Sequence, residues 1–127
     1  MSVASIEEIN SFLLQAKKAI STKQFAFEER QKNLQTLADH GWTIDDVSST
    51  IEALTYQDYH AGPEPDRNKN YGGEFWEFGY NLGGVELYIK LKLTIGFAGQ
   101  GVLCLSFHEQ EFRLTYPYKS TTDRSLR

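Results

Sequence analysis

The stretch VELYIKLKL, Val85–Leu93, decides the fold. Val85, Leu87, Ile89, Leu91 and Leu93 alternate with Glu86, Tyr88, Lys90 and Lys92. Successive side chains of a strand point to opposite faces, so a period of two means one apolar face and one polar face. The apolar face needs a covering layer. The polar face, a tyrosine framed by two lysines and a glutamate, points away from it.

Working outward, Glu74–Tyr80 and Val102–His108 show the same period and predict strands on either side. The turn signal Asn81-Leu82-Gly83-Gly84 and the glycines Gly96, Gly99 and Gly101 separate the three, and connections this short favour antiparallel neighbours. The covering layer comes from the N-terminal half. Ser5 and Glu8 form a capping-box pattern, and Ile6, Ile9, Phe12, Leu13, Ala16 and Ile20 follow at helical spacing. Phe25 and Phe27 alternate like a short strand. A second helix from Glu28 buries Leu34, Leu37 and Ala38 and stops at Gly41. Thr43 caps a third, with Asp45 and Asp46 in its first turn and Ile44, Val47, Ile51 and Leu54 on one stripe. His60–Gly73, HAGPEPDRNKNYGG, reads as a long loop. The expected architecture is α+β: N-terminal helices packed on one face of a mainly antiparallel sheet whose other face is open. Residues 1–118 make a single domain, and 119–127 a flexible tail.

The chain has 127 residues, of which 40% are hydrophobic and 13% aromatic, enough for one domain with a real core. No apolar run is long enough to span a bilayer, and the N-terminus lacks the basic and apolar regions of a secretion signal. One cysteine, Cys104, excludes an intrachain disulfide, and without CxxC or HxxxH spacing neither a metal nor another cofactor is expected. These features place the protein in the cytoplasm. The net charge of −4 argues against a generally basic nucleic-acid binder. Its distribution is uneven: residues 1–66 balance at 5 − 11 = −6 and residues 67–127 at 8 − 6 = +2, which permits a local anion site.

Alternation also sorts the open face. Trp76, Phe78 and Tyr80 are the better core set of their strand, which turns Phe75 and Glu77 outward. In the last strand Leu103, Leu105 and Phe107 should face the helices, sending Cys104, Ser106 and His108 out. This holds if no β-bulge intervenes, since one bulge reverses facing locally. The outer face then carries Glu77, Tyr88, Lys90, Lys92, Ser106 and His108. A carboxylate, a phenol, an imidazole and two ammonium groups suffice for cleavage of RNA without a metal. A base takes the proton of a ribose 2′-hydroxyl, an acid protonates the leaving 5′-oxygen, and cations hold the charge developing on phosphorus. Only RNA carries that internal nucleophile. The plainer reading is the solvated outer face of any antiparallel sheet. On it Lys92 is a surface lysine, His60 a loop residue, His40 a helix-end residue, and Cys104 an inert small hydrophobe.

Five ordered pieces, LADHGWTIDDV, IEALTYQDYHAGPEPD, EFWEFG, VELYIKLKL and LCLSFHEQEF, carry a resemblance to the MqsR (motility quorum-sensing regulator) family of bacterial toxins, over roughly residues 24–118. The resemblance implies a RelE-like toxin fold and a sequence-preferring mRNA endonuclease held inactive by a cognate antitoxin. It places the chemistry at Tyr88, at Glu77 after Trp76, and at His108 after Phe107, with His60 beside the position of a family lysine; together with Lys90 and Lys92 of the outward face, His60 is expected to bind the substrate. The family pattern has a polar residue at Glu77 and a basic one at His108, glutamine and lysine in its best-known member, and usually a lysine where this chain has Ala61. Glu77 or Tyr88 is then the base. His108 is the acid, histidine being the side-chain type that changes charge near neutral pH. The competing expectation is a non-catalytic RNA- or protein-binding module that keeps the toxin fold.

Overall fold

The computed structural model describes residues 3–67, 72–96 and 99–119. β4 (Val85–Gly96) lies at the centre of a five-stranded sheet ordered β1-β5-β4-β3-β2, where β1 is Phe25–Phe27, β2 Tyr59–Pro65, β3 Glu74–Leu82 and β5 Gly99–Glu109. β2, β3, β4 and β5 pair antiparallel, and β1 runs parallel to β5. Three helices precede most of the sheet in sequence: α1 (Ile6–Ser21), α2 (Gln31–His40) and α3 (Ile44–Ala53). The expected α+β architecture is the one observed. Among the described residues no helix is long and apolar enough to cross a membrane. Of the expected tail, residues 120–127 lie outside the described residues.

The β4 alternation sets the layers. Leu87, Ile89 and Leu91 are fully buried under the helices. α1 is started by the Ser5–Glu8 capping box and covers them with Ile9, Phe12, Leu13, Ala16 and Ala19. The Phe12 ring stacks on Trp76 with centroids 4.7 Å apart, and lies 6.0 Å from Phe78, so the expected inward set of β3 is in place. α3 starts at a second capping box, Thr43 with Asp46. α2 begins at Gln31 rather than Glu28, and its N-cap, Arg30, makes no side-chain cap bond.

The segment expected to be one long loop begins as β2. Its Gly and Pro content hid a strand because β2 is at the sheet edge, where proline costs no ladder bond. The pairing with β3 slips between Tyr59 and Ala61 and again between Ala61 and Glu64. Gly62 lies in the second irregularity with φ of 108°, and a Cβ there would stand 2.8 Å from the Phe75 carbonyl oxygen. Gly62→Ala is therefore expected to cost about 1–3 kcal/mol, combining a disfavoured backbone angle with a backbone clash. Urea unfolding measures this, and an unchanged midpoint would mean that β2 does not lie against β3 as described.

β5 contains the bulge that simple alternation leaves out. Lys90 pairs with Ser106, but Leu91 pairs with Cys104, so Leu105 is an extra residue. Facing on its N-terminal side is the reverse of the sequence expectation. Cys104 pairs with Leu91 and is fully buried in the core, whereas Leu103 pairs with Lys92. On its C-terminal side the expectation holds: Phe107 is fully buried and His108 pairs with Tyr88. Asn33 of α2 services the bulge. Its Nδ2 donates to the Leu105 carbonyl at 3.0 Å and the Glu28 carbonyl at 2.8 Å, and its Oδ1 accepts from the Phe107 N–H at 3.0 Å.

After β5 the chain crosses the open face. Leu114 is buried there, and Tyr116 sits so close over Gly79 that a Cβ on Gly79 would lie 2.0 Å from its hydroxyl. Gln110 Nε2 donates to the Leu87 carbonyl and to the Tyr116 hydroxyl, both at 3.1 Å. Tyr118 then reaches the helical layer and donates to the Ala4 carbonyl at 2.6 Å. One end of the open face is thus roofed by residues 110–118.

Candidate functional site

Glu77, Tyr88 and His108 come together beside that roof. They sit on three adjacent strands, β3, β4 and β5, on the face away from the helices. The β3 residue directly opposite Tyr88 is Gly79, so the phenol reaches diagonally and donates to Glu77 Oε1 at 2.7 Å. The His108 ring lies against the Tyr88 ring, centroids 5.4 Å apart. His108 Nδ1 is 2.9 Å from the Glu109 carbonyl oxygen. A carbonyl only accepts, so Nδ1 carries a hydrogen and Nε2 is left to take or give a proton. Tyr88 and His108 also line a pocket of about 170 Å³ with Glu111, Phe112 and Leu114.

Burial pushes the Tyr88 phenol far above its ordinary pKa, and the hydrogen bond to Glu77 and the charges of Glu77 and Glu64 act in the same direction. The phenol is a donor at neutral pH, which leaves Glu77 as the proton acceptor of the pair. A pKa raised on folding has a consequence at high pH. The contribution of Tyr88 to stability is fully present below its ordinary value of 10.0 and is lost as pH rises toward its folded value. Cys104, raised by burial from 9.0, acts with the same sign from a lower pH. Stability to urea is expected to stay level through neutrality and to fall above about pH 9. Burial raises Tyr59 and Tyr116 as well, so a tyrosinate absorbance titration should show several late phenols, of which the last disappears in Tyr88→Phe; full tyrosine ionisation near pH 10 without unfolding would contradict the burial.

The other expected residues divide. Lys90 is on the same face, directly across from Glu77 and from Ser106, with its ammonium 4.0 Å over the Phe75 ring. Lys92 is not the exposed cation expected of a substrate ligand or a surface lysine. It is 3% exposed, and its ammonium is ion-paired to Asp66 at 2.7 Å. The chain after β2 brings Asp66 down onto it, which spacing alone does not reveal. His60 lies in strand β2 rather than in a loop, and its Nδ1 is 2.8 Å from the Thr115 carbonyl, so it holds the roof segment in place. Ala61 pairs directly with Glu77. His40 sits away from this cluster, bonded to Glu109 at 2.8 Å and stacked on Trp42.

No family model, curated protein or solved structure matches the chain.

What the arrangement can do follows from its groups. A carboxylate held by a phenol, an imidazole with one ring nitrogen available, and an ammonium across the strand can move protons around a bound anionic ester. Among the described residues no cluster of three His, Cys, Asp or Glu side chains could hold a metal ion. Sequence reasoning missed Phe112, which shares the pocket with Tyr88 and His108, and Asn33, which holds the bulge. Phe112 belongs to no periodic pattern. Asn33 lies on a helix face otherwise marked by Leu37, and a buried asparagine there was the available signal.

Proposed function

We propose that this chain is an endoribonuclease of the toxin–antitoxin type, acting on mRNA in the cytoplasm. The observation that carries the reading is the Tyr88–Glu77 hydrogen bond with the His108 ring tilted against it on an open sheet face, next to a pocket. Glu77 takes the proton of a ribose 2′-hydroxyl. The 2′-oxygen attacks the adjacent phosphorus, the bond from phosphorus to the 5′-oxygen breaks, and His108, entering the step as the imidazolium, delivers its Nε2 proton to that oxygen. The products are a 2′,3′-cyclic phosphate and a 5′-hydroxyl. Tyr88 orients the carboxylate, and Lys90 offsets charge on the nonbridging oxygens. The resemblance to MqsR toxins supports the same assignment and adds a cognate antitoxin as partner. Purified protein incubated with a defined single-stranded RNA in excess chelator should yield fragments ending in 2′,3′-cyclic phosphate. Intact RNA under all conditions would overturn the reading.

One observation favours a second reading, a non-catalytic RNA-binding module on the same fold. Ala61 faces Glu77 where the resemblance expects a lysine, so the carboxylate lacks that cation. The same incubation separates the two: RNA retained by the protein but left whole is the result this module gives.

A further inference from the structure

Phe112 is a large apolar side chain that the fold leaves outside. It is 63% exposed, although its neighbours Leu114 and Tyr116 are drawn down onto the sheet. It borders two hollows. One is the pocket it shares with Tyr88 and His108; the other is a groove of about 740 Å³ that also holds Arg113, Tyr116 and Lys119. Of the groove's two carboxylates, Glu111 is ion-paired to Lys32, and Glu86 accepts from the neutral Asn81 amide at 2.8 Å. Arg113 has no ion pair among the described residues, and the Lys119 ammonium lies 4.7 Å over the Tyr116 ring. The feature is therefore an aromatic face at the mouth of the candidate active site, followed by two cations along a groove.

We infer that Phe112 is a stacking platform for the base next to the scissile phosphate, and that Arg113 and Lys119 take the phosphates of the strand leading away from it. The inference rests on the ribonuclease reading for the identity of the scissile linkage. Stacking suits an unpaired base, because every base has a π-face, and cations placed along a groove suit the backbone that joins such bases. A duplex would not present a free base to Phe112, so the substrate class is single-stranded RNA. The groove and the pocket share Glu111, Phe112 and Leu114, so a base seated on Phe112 lies at the border of the hollow that His108 lines.

The test uses a fluorescent single-stranded 2′-O-methyl RNA, which lacks the nucleophile and stays whole, with anisotropy read in chelator. Phe112→Ala is expected to weaken binding about tenfold, the loss typical of one stacked base, while Phe112→Trp keeps or improves it. Removing single bases from the oligonucleotide locates the stacked one. At that position an abasic site should weaken the wild type about tenfold and Phe112→Ala hardly at all, and Arg113→Ala should weaken all oligonucleotides alike. Equal affinity of Phe112→Ala and wild type, equal losses at every abasic position, or no binding of any single strand would overturn the inference; Phe112 would then be a surface for a protein partner. Cyclic-phosphate formation on ordinary RNA is scored separately. Cleavage with an inert Phe112 removes this inference alone, and Phe112-dependent binding without cleavage removes the ribonuclease mechanism alone.

Discussion

His108→Ala should slow cleavage of single-stranded RNA by about 100- to 10,000-fold, the range that a positioned general acid contributes. The expectation comes from the one ring nitrogen that the fold leaves uncommitted. Nδ1 is fixed on the Glu109 carbonyl, so the Tyr88 ring and that hydrogen bond together aim Nε2. Glu77→Gln removes the base and should lose activity in the same range. Tyr88→Phe should lose less, because the phenol acts through the carboxylate it holds. Combined with Glu77→Gln, Tyr88→Phe should add little, as groups that act as a unit are not additive. Single-turnover cleavage rates of the wild type and the four variants, each checked for folding by circular dichroism, decide this. His108→Ala cleaving at the wild-type rate would remove the acid from the mechanism. A multiplicative double variant would show that Tyr88 touches the substrate independently of Glu77.

Much of this was legible in the sequence, for a physical reason. In β4 one face is wholly aliphatic and the other wholly polar, so only one facing buries the strand correctly, and Tyr88 and Lys90 could be assigned outward from spacing. The capping box at Ser5 and the N-cap at Thr43 are local hydrogen-bond patterns that need no tertiary partner, and they marked the starts of α1 and α3. Glu77 and His108 followed because Trp76 with Phe78, and Phe107, are too large and apolar to face water. What spacing could not supply depends on contacts between distant segments. β2 is a strand only because β3 is there to pair with it, against its own Gly and Pro content. Lys92 is buried only because Asp66 folds over it. The roof of residues 110–118 depends on Gly79 leaving space for Tyr116, a fit between residues far apart in the chain.

The largest expected loss of stability falls on a residue remote from RNA. Asn33→Leu should destabilise the fold by about 2–6 kcal/mol, at about 1–3 kcal/mol for each buried backbone group left without a partner. Asn33 is 1% exposed, and its amide satisfies the Leu105 carbonyl and the Phe107 N–H, both at the bulge where pairing with β4 is disturbed. Leucine fills a similar volume but can neither donate nor accept, so the cost is one of hydrogen bonding rather than of a cavity. The bulge also has a chemical role. Continuing the Leu91–Cys104 pairing toward the C-terminus without an extra residue would set Tyr88 opposite Phe107 and turn His108 toward the helices. Asn33 thus stabilises the register that puts the imidazole beside the phenol, and a variant that still folds should lose cleavage with His108 in place. Urea unfolding gives the first quantity and cleavage under fully folded conditions the second. A stability loss below about 1 kcal/mol would mean that the bulge satisfies its own backbone groups, and that α2 does not hold His108 in position.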